Sequence, residues 1–115
     1  MSFYSARLLF VILVDDGRPR KKNHYDDRVV VFRARNFEHA FERAVEIGNE
    51  NGVAYKNSVG QRVRWAFVEV INLDLVGKSI DGKEVASKLH YRVSKKPIPF
   101  SRKFSPELST LDGSF

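Results

Sequence analysis

From Phe3 to Val14 the chain reads Phe-Tyr-Ser-Ala-Arg-Leu-Leu-Phe-Val-Ile-Leu-Val, aromatic and branched side chains with no helical period. Such a run predicts a strand in the interior of a sheet. Tyr4, Ala6, Leu8, Phe10, Ile12 and Val14 fall on one face and Phe3, Leu9, Val11 and Leu13 on the other, so both faces need a cover. Residues 15–27 lack apolar periodicity and contain Gly17 and Pro19, which predicts a long, mobile loop. Four cations, Arg18, Arg20, Lys21 and Lys22, stand in it against Asp15, Asp16, Asp26 and Asp27. Val29 to Ala34 alternate as a second strand, expected over Arg28 to Arg35, and the pair reads as a hairpin with a charged tip.

Asn36 then suits a helix N-cap, its side-chain oxygen accepting from a free amide of the first turn, and Glu38 suits the positive end of the helix dipole. Phe37, Ala40, Phe41, Ala44, Val45 and Ile47/Gly48 recur at helical spacing, opposite Glu38, His39, Glu42, Arg43, Glu46 and Asn49. Asn51-Gly52 predicts a left-handed cap at the end. A polar connector with Tyr55, Asn57 and Gly60 leads to a third strand at Arg62 to Leu73. On strict alternation, Val63, Trp65, Phe67, Ile71 and Leu73 share a face, placed as core against the helix. Gly77 and Asp81-Gly82 mark turns before a fourth strand, Lys83 to Val93, with Val85, Ser87, Leu89, Tyr91 and Val93 on one side. Residues 94–115 carry three of the four prolines and read as a C-terminal arm, with a short helix starting at Ser105-Pro106-Glu107.

These elements predict an α+β fold: a four-stranded, mostly antiparallel sheet with one amphipathic helix on one face (ββαββ), a single domain over 1–93 and a basic arm over 94–115. One helix covers one face, so the other is expected to be covered by the arm through Phe100, Phe104 and Leu108, or by a second copy or another protein.

Tyr4-Ser5-Ala6-Arg7-Leu8-Leu9-Phe10, Tyr55-Lys56-Asn57, Gly60 and Val63-Arg64-Trp65-Ala66-Phe67-Val68-Glu69-Val70 resemble a bacterial family of small domains of unknown function. The resemblance covers residues 3 to 91 and implies a bacterial source and an α+β fold, but no reaction and no catalytic residue. By size and style alone the chain is also similar to immunity proteins, the neutralising partners of bacterial toxins.

The composition narrows the chemistry. In 115 residues there is no cysteine, which removes disulfides, thiolate metal sites and a Cys nucleophile. The longest apolar run, Leu8–Val14, is far short of a bilayer span, and no leader pattern precedes it, so the expectation is a cytoplasmic protein without a membrane partner. His24, His39 and His90 sit in no catalytic motif and read as surface residues. His24 with Asp26 and Asp27 lacks a spacing that fixes a metal geometry. Asp15/Asp16 facing Asp26/Asp27 across the hairpin reads as carboxylates that relieve a cationic tip. The expectation is therefore no enzyme, no metal and no cofactor.

The net charge of +6 is localised. Residues 85–103 hold Lys88, Arg92, Lys95, Lys96, Arg102 and Lys103 and no carboxylate, so the remainder of the chain is balanced. The sequence thus points to a protein-binding module, an immunity-type protein that occludes a toxin with an acidic surface. Its binding residues are expected at the hairpin tip (Arg18, Arg20, Lys21, Lys22, His24, Tyr25) and on the last strand and arm (Lys88, His90, Arg92, Lys95, Lys96). A homodimer through an uncovered sheet face is a further expectation. The alternative is nucleic-acid binding through the same basic segment, with Tyr55 and Tyr91 as stacking rings.

Overall fold

The computed structural model describes residues 1–79, 81 and 87–111, with side chains for all of these except 87–90. The elements are β1 (Ser2–Asp15), β2 (Arg20–Ala34), α1 (Phe37–Glu50), β3 (Val53–Lys56), β4 (Arg62–Gly77) and β5 (Ser87–Ile98), followed by a 3-10 turn at Pro106–Leu108. The fold is α+β, but the antiparallel sheet has five strands, in the order β3-β4-β1-β2-β5. β1, apolar on both faces, takes the central position.

The fifth strand, β3, lies in the segment expected to be a connector. All four of its residues are exposed, so burial left no periodic mark in the sequence. The expected loop 15–27 is also mostly strand. Polar residues from Arg20 onward are held by the ladders to β1 and β5, and only Asp16–Pro19 turn, with Gly17 at φ +76°. Asp26 and Asp27 therefore sit opposite Phe10 and Leu9, while Asp15 sits opposite Arg62. The carboxylate pairs expected to face one another are about 16 Å apart along the strands.

The helix begins as its cap residue requires, with Asn36 Oδ1 accepting from His39 N at 2.8 Å. It ends differently: Asn51 has φ −94° and ψ 0°, its backbone N–H reaching Gly48 O and Ile47 O and its side chain donating to Ile47 O at 2.7 Å. An amide that can close the last turn makes a left-handed cap unnecessary. Ala40, Ala44 and Gly48 are buried against Tyr4, Ala6, Leu8, Phe10, Phe32, Phe67 and Val70.

The sheet's other face is covered by the C-terminal arm. Leu9, Val11, Leu13, Tyr25, Ala66, Val68 and Ile98 form a second core, with Ile71, Phe100 and Phe104 packed on it. Leu108, expected in this cover, is 75 % exposed. Arg64 ties the arm down by donating to Phe100 O at 3.1 Å and Arg102 O at 2.8 Å. At the β4 edge Ser109 Oγ accepts from Val70 N at 2.8 Å. The expected short helix is the single 3-10 turn at Pro106, closed by Ser109 N to Pro106 O.

Strict alternation fails along β4. Opposite β1, Phe67 pairs with Phe10, Glu69 with Leu9, Val70 with Leu8, Asn72 with Arg7 and Leu73 with Ala6. Val68 and Ile71 are thus extra residues, and each such bulge shifts the facing pattern. As a result Phe67, Val70 and Leu73 lie on the helix side, while Ile71, expected beside them, packs under the arm.

Candidate functional site

β5 runs through the expected domain boundary at residue 93 and carries a large irregularity there. Lys22 pairs with Val93 but Arg20 pairs with Ile98, so residues 94–97 bulge from the ladder. Ser94 holds the bulge by donating to Lys21 O at 3.2 Å and to Lys96 O. A bulge re-aims the side chains it carries, and this one places Lys95 and Lys96 on the rim of a cavity of about 520 Å³.

Arg92, Lys95 and Lys96 line that cavity from β5, and Arg102 and Phe104 line it from the arm. Tyr25 and Ile98, both buried in the second core, line it too, together with Val93 and Ser94. The Arg92 guanidinium lies 5.7 Å from the centre of the Tyr25 ring, and that of Arg102 lies 5.4 Å from the Phe104 ring. Burial raises the Tyr25 phenol above its ordinary value of 10.0, against a smaller opposing effect of Arg92, so it stays neutral. Among the described residues four cations and no carboxylate line this cleft. Cationic side chains gathered over an apolar floor attract and orient an anionic group.

The sequence-derived residues divide around this geometry. Of these, Arg92, Lys95 and Lys96 line the cleft together. Tyr25 belongs to the site as lining: it is 1 % exposed and so cannot serve as a projecting anchor. Arg18 and Arg20 line a different cavity, of about 270 Å³, at the end of the sheet. There Arg20 pairs with Asp16 and Arg62 with Asp15, and the Arg20 contact holds the Asp16 carboxyl below its ordinary value of 3.8. Lys21 is joined to the cleft through Ser94. Lys22 and His24 surround Tyr91 on the helix side of the sheet, His24 stacked on it at 4.4 Å and Lys22 Nζ 5.1 Å from its centre. Lys88 and His90 pair by backbone with Asp27 and Tyr25, and their side chains lie outside the described residues. Ser94, Ile98, Arg102 and Phe104 had no place among the expected site residues. Charge alone marks Arg102, and no sequence signal marks a bulge.

Asp26 is 4 % exposed and joined to Arg28 at 2.7 Å. Arg28 in turn covers the Phe10 and Trp65 rings, 4.6 and 5.2 Å from their centres. Asp26 thus serves an ion pair on the helix side, while Asp27, the next residue in the strand, takes the opposite face. The grouping His24, Asp26 and Asp27 does not converge. Among the described residues no cluster of three His, Asp or Glu could hold a metal ion, and no helix is long and apolar enough to cross a membrane.

No curated protein and no solved structure matches the chain. A family model does, over residues 3–87, which span the two-faced β1, the helix and the bulged β4 and stop before the cations of the cleft. On that match, the chain belongs to the DUF4288 family, a domain of unknown function.

Proposed function

We propose that this protein is a non-catalytic binding module that takes an acidic segment of a protein partner into the cleft between β5 and the arm. In its specific form the reading is an immunity-type protein whose partner is a toxin, occluded by the bound domain. The observation that carries it is the cleft's composition: Arg92, Lys95, Lys96 and Arg102 around an apolar floor, with no carboxylate among the described lining residues. Apolar area beside cations suits a protein segment, since buried aromatic and arginine contacts dominate such interfaces.

The product of the neighbouring gene is the partner to test. A complex stable through gel filtration and protection of cells expressing that product are the expected results. The K95S/K96S/R102S variant, whose three changes lie on exposed positions, should weaken the complex more than tenfold and keep its melting temperature. A chain that elutes alone and gives no protection overturns the reading.

A nucleic-acid reading has one observation in its favour, the half-exposed Tyr91 on the basic strand β5, whereas Tyr55, also half-exposed, lies on β3 at the opposite edge of the sheet. The ring stacking of Tyr91 on His24 across the ladder requires both rings to stand upright on the sheet, so Tyr91 does not lie flat as a platform for a base. Anisotropy of labelled single- and double-stranded oligonucleotides at two salt concentrations separates the readings: steep salt-dependent binding supports nucleic acid.

A further inference from the structure

We propose that the outer edge of β5 receives an extended segment of the partner as a sixth strand, a segment in which acidic and apolar residues alternate. The inference rests on the acidic-partner reading above and adds the way the partner is held. β5 ends the sheet, and no described element pairs with its outer side. Ser87–Val93 therefore offers a row of backbone donors and acceptors, and an added strand would satisfy them. In strand addition the main chain supplies affinity and alternate side chains supply specificity.

The two faces of β5 differ in chemistry. Tyr91 and Val93 are 59 % and 75 % exposed, and Tyr91 lies on the helix side, where it meets His24. Arg92 lies on the opposite side, over Tyr25 at the cleft. A strand laid beside β5 continues this alternation. Side chains on one of its faces would meet Tyr91 and Val93, and those on the other would reach Arg92 and the cations across the cleft.

The helix side is bare here for a geometric reason. α1 spans about 21 Å, whereas β1 spans about 46 Å, and the last turn of the helix stands over Phe67. The row Tyr91–His24–Ile12–Trp65 lies one pair further along the ladders, toward the uncovered end. A second copy of the chain is a poor occupant, because it would bring further cations, its own Arg92, Lys95 and Lys96, to an edge that among the described residues already carries that charge. Pro97 and the bulge end the usable edge beyond Val93.

The test uses the full chain, 15N-labelled, with two octapeptides of equal composition: one alternating Glu and Val, the other with its Glu and Val in separate blocks. The alternating peptide should shift the amides of residues 87–93, slow the exchange of every second one, and bind about tenfold more tightly than the block peptide. N-methylation of its alternate residues should abolish binding in one phase and spare it in the other. Equal binding of both peptides and both methylated forms, with shifts confined to Lys95, Lys96 and Arg102, would show capture by charge alone. That outcome overturns strand addition and leaves the acidic-partner reading standing. No binding of either peptide, together with a stable complex with the neighbouring gene's product, also overturns strand addition alone, whereas failure of that complex too removes both. Protection of the β5 amides by concentration-dependent self-association would assign the edge to a second copy and overturn the proposal.

Discussion

Gly48 shows how closely α1 rests on the sheet. A Cβ at this position would overlap the Phe67 ring, itself 7 % exposed and held in the core. Alanine in place of glycine gains about 1 kcal/mol of helix propensity, but overpacking a core costs about 1–3 kcal/mol. A buried ring wedged between Phe10 and the helix cannot swing away, so the clash prevails. G48A should lower the urea midpoint without changing the slope of unfolding. At Tyr25 the raised phenol pKa has a direct thermodynamic sign. Above pH 10 the unfolded chain releases its proton before the folded one does, so stability present below that value falls as pH rises through the folded pKa. Y25F should reduce this alkaline loss, measured as a smaller drop in melting temperature between pH 9 and pH 11.

The arm is the element on which the second core depends. Phe100 and Phe104 lie across Leu9, Val11, Leu13 and Val68, and Arg64 and Ser109 fasten the chain at two points. Complete burial makes Phe→Ala cost about 3–5 kcal/mol, and Phe104 is half-buried, so F104A should cost about 2 kcal/mol in denaturant unfolding. R64A should leave the sheet intact while speeding amide exchange and proteolysis near Arg102, because two carbonyls lose their donor. Truncation after Ile98 should expose the apolar face and cause aggregation at concentrations where the full chain stays monodisperse. The helix was legible in advance because its apolar stripe has a period of 3.6 and its N-cap has a local chemistry. β3 was not, since an exposed four-residue edge strand has no burial pattern to leave.

In the whole molecule the cationic excess gathers where the charge sum over residues 85–103 locates it. What that sum does not contain is the cleft. Arg92 and Arg102 are ten positions apart and meet because the arm turns back under the sheet at Pro99. On the proposed acidic-partner reading, neutralising this cluster should weaken binding and flatten its salt dependence, with the melting temperature serving as the control.

The sequence by itself determined the elements whose neighbours along the chain suffice to define them: the two-faced central strand, the capped helix, the need for a second cover, and the placement of charge. Tertiary structure decided what depends on pairing between distant residues. The bulges of β4 and β5 are register choices made against β1 and β2, and each shifts the facing of the residues beyond it. Tyr25 became core and Tyr91 surface for the same reason. Alternation states that two side chains share a face, but only the layers packed above and below decide whether that face meets protein or water.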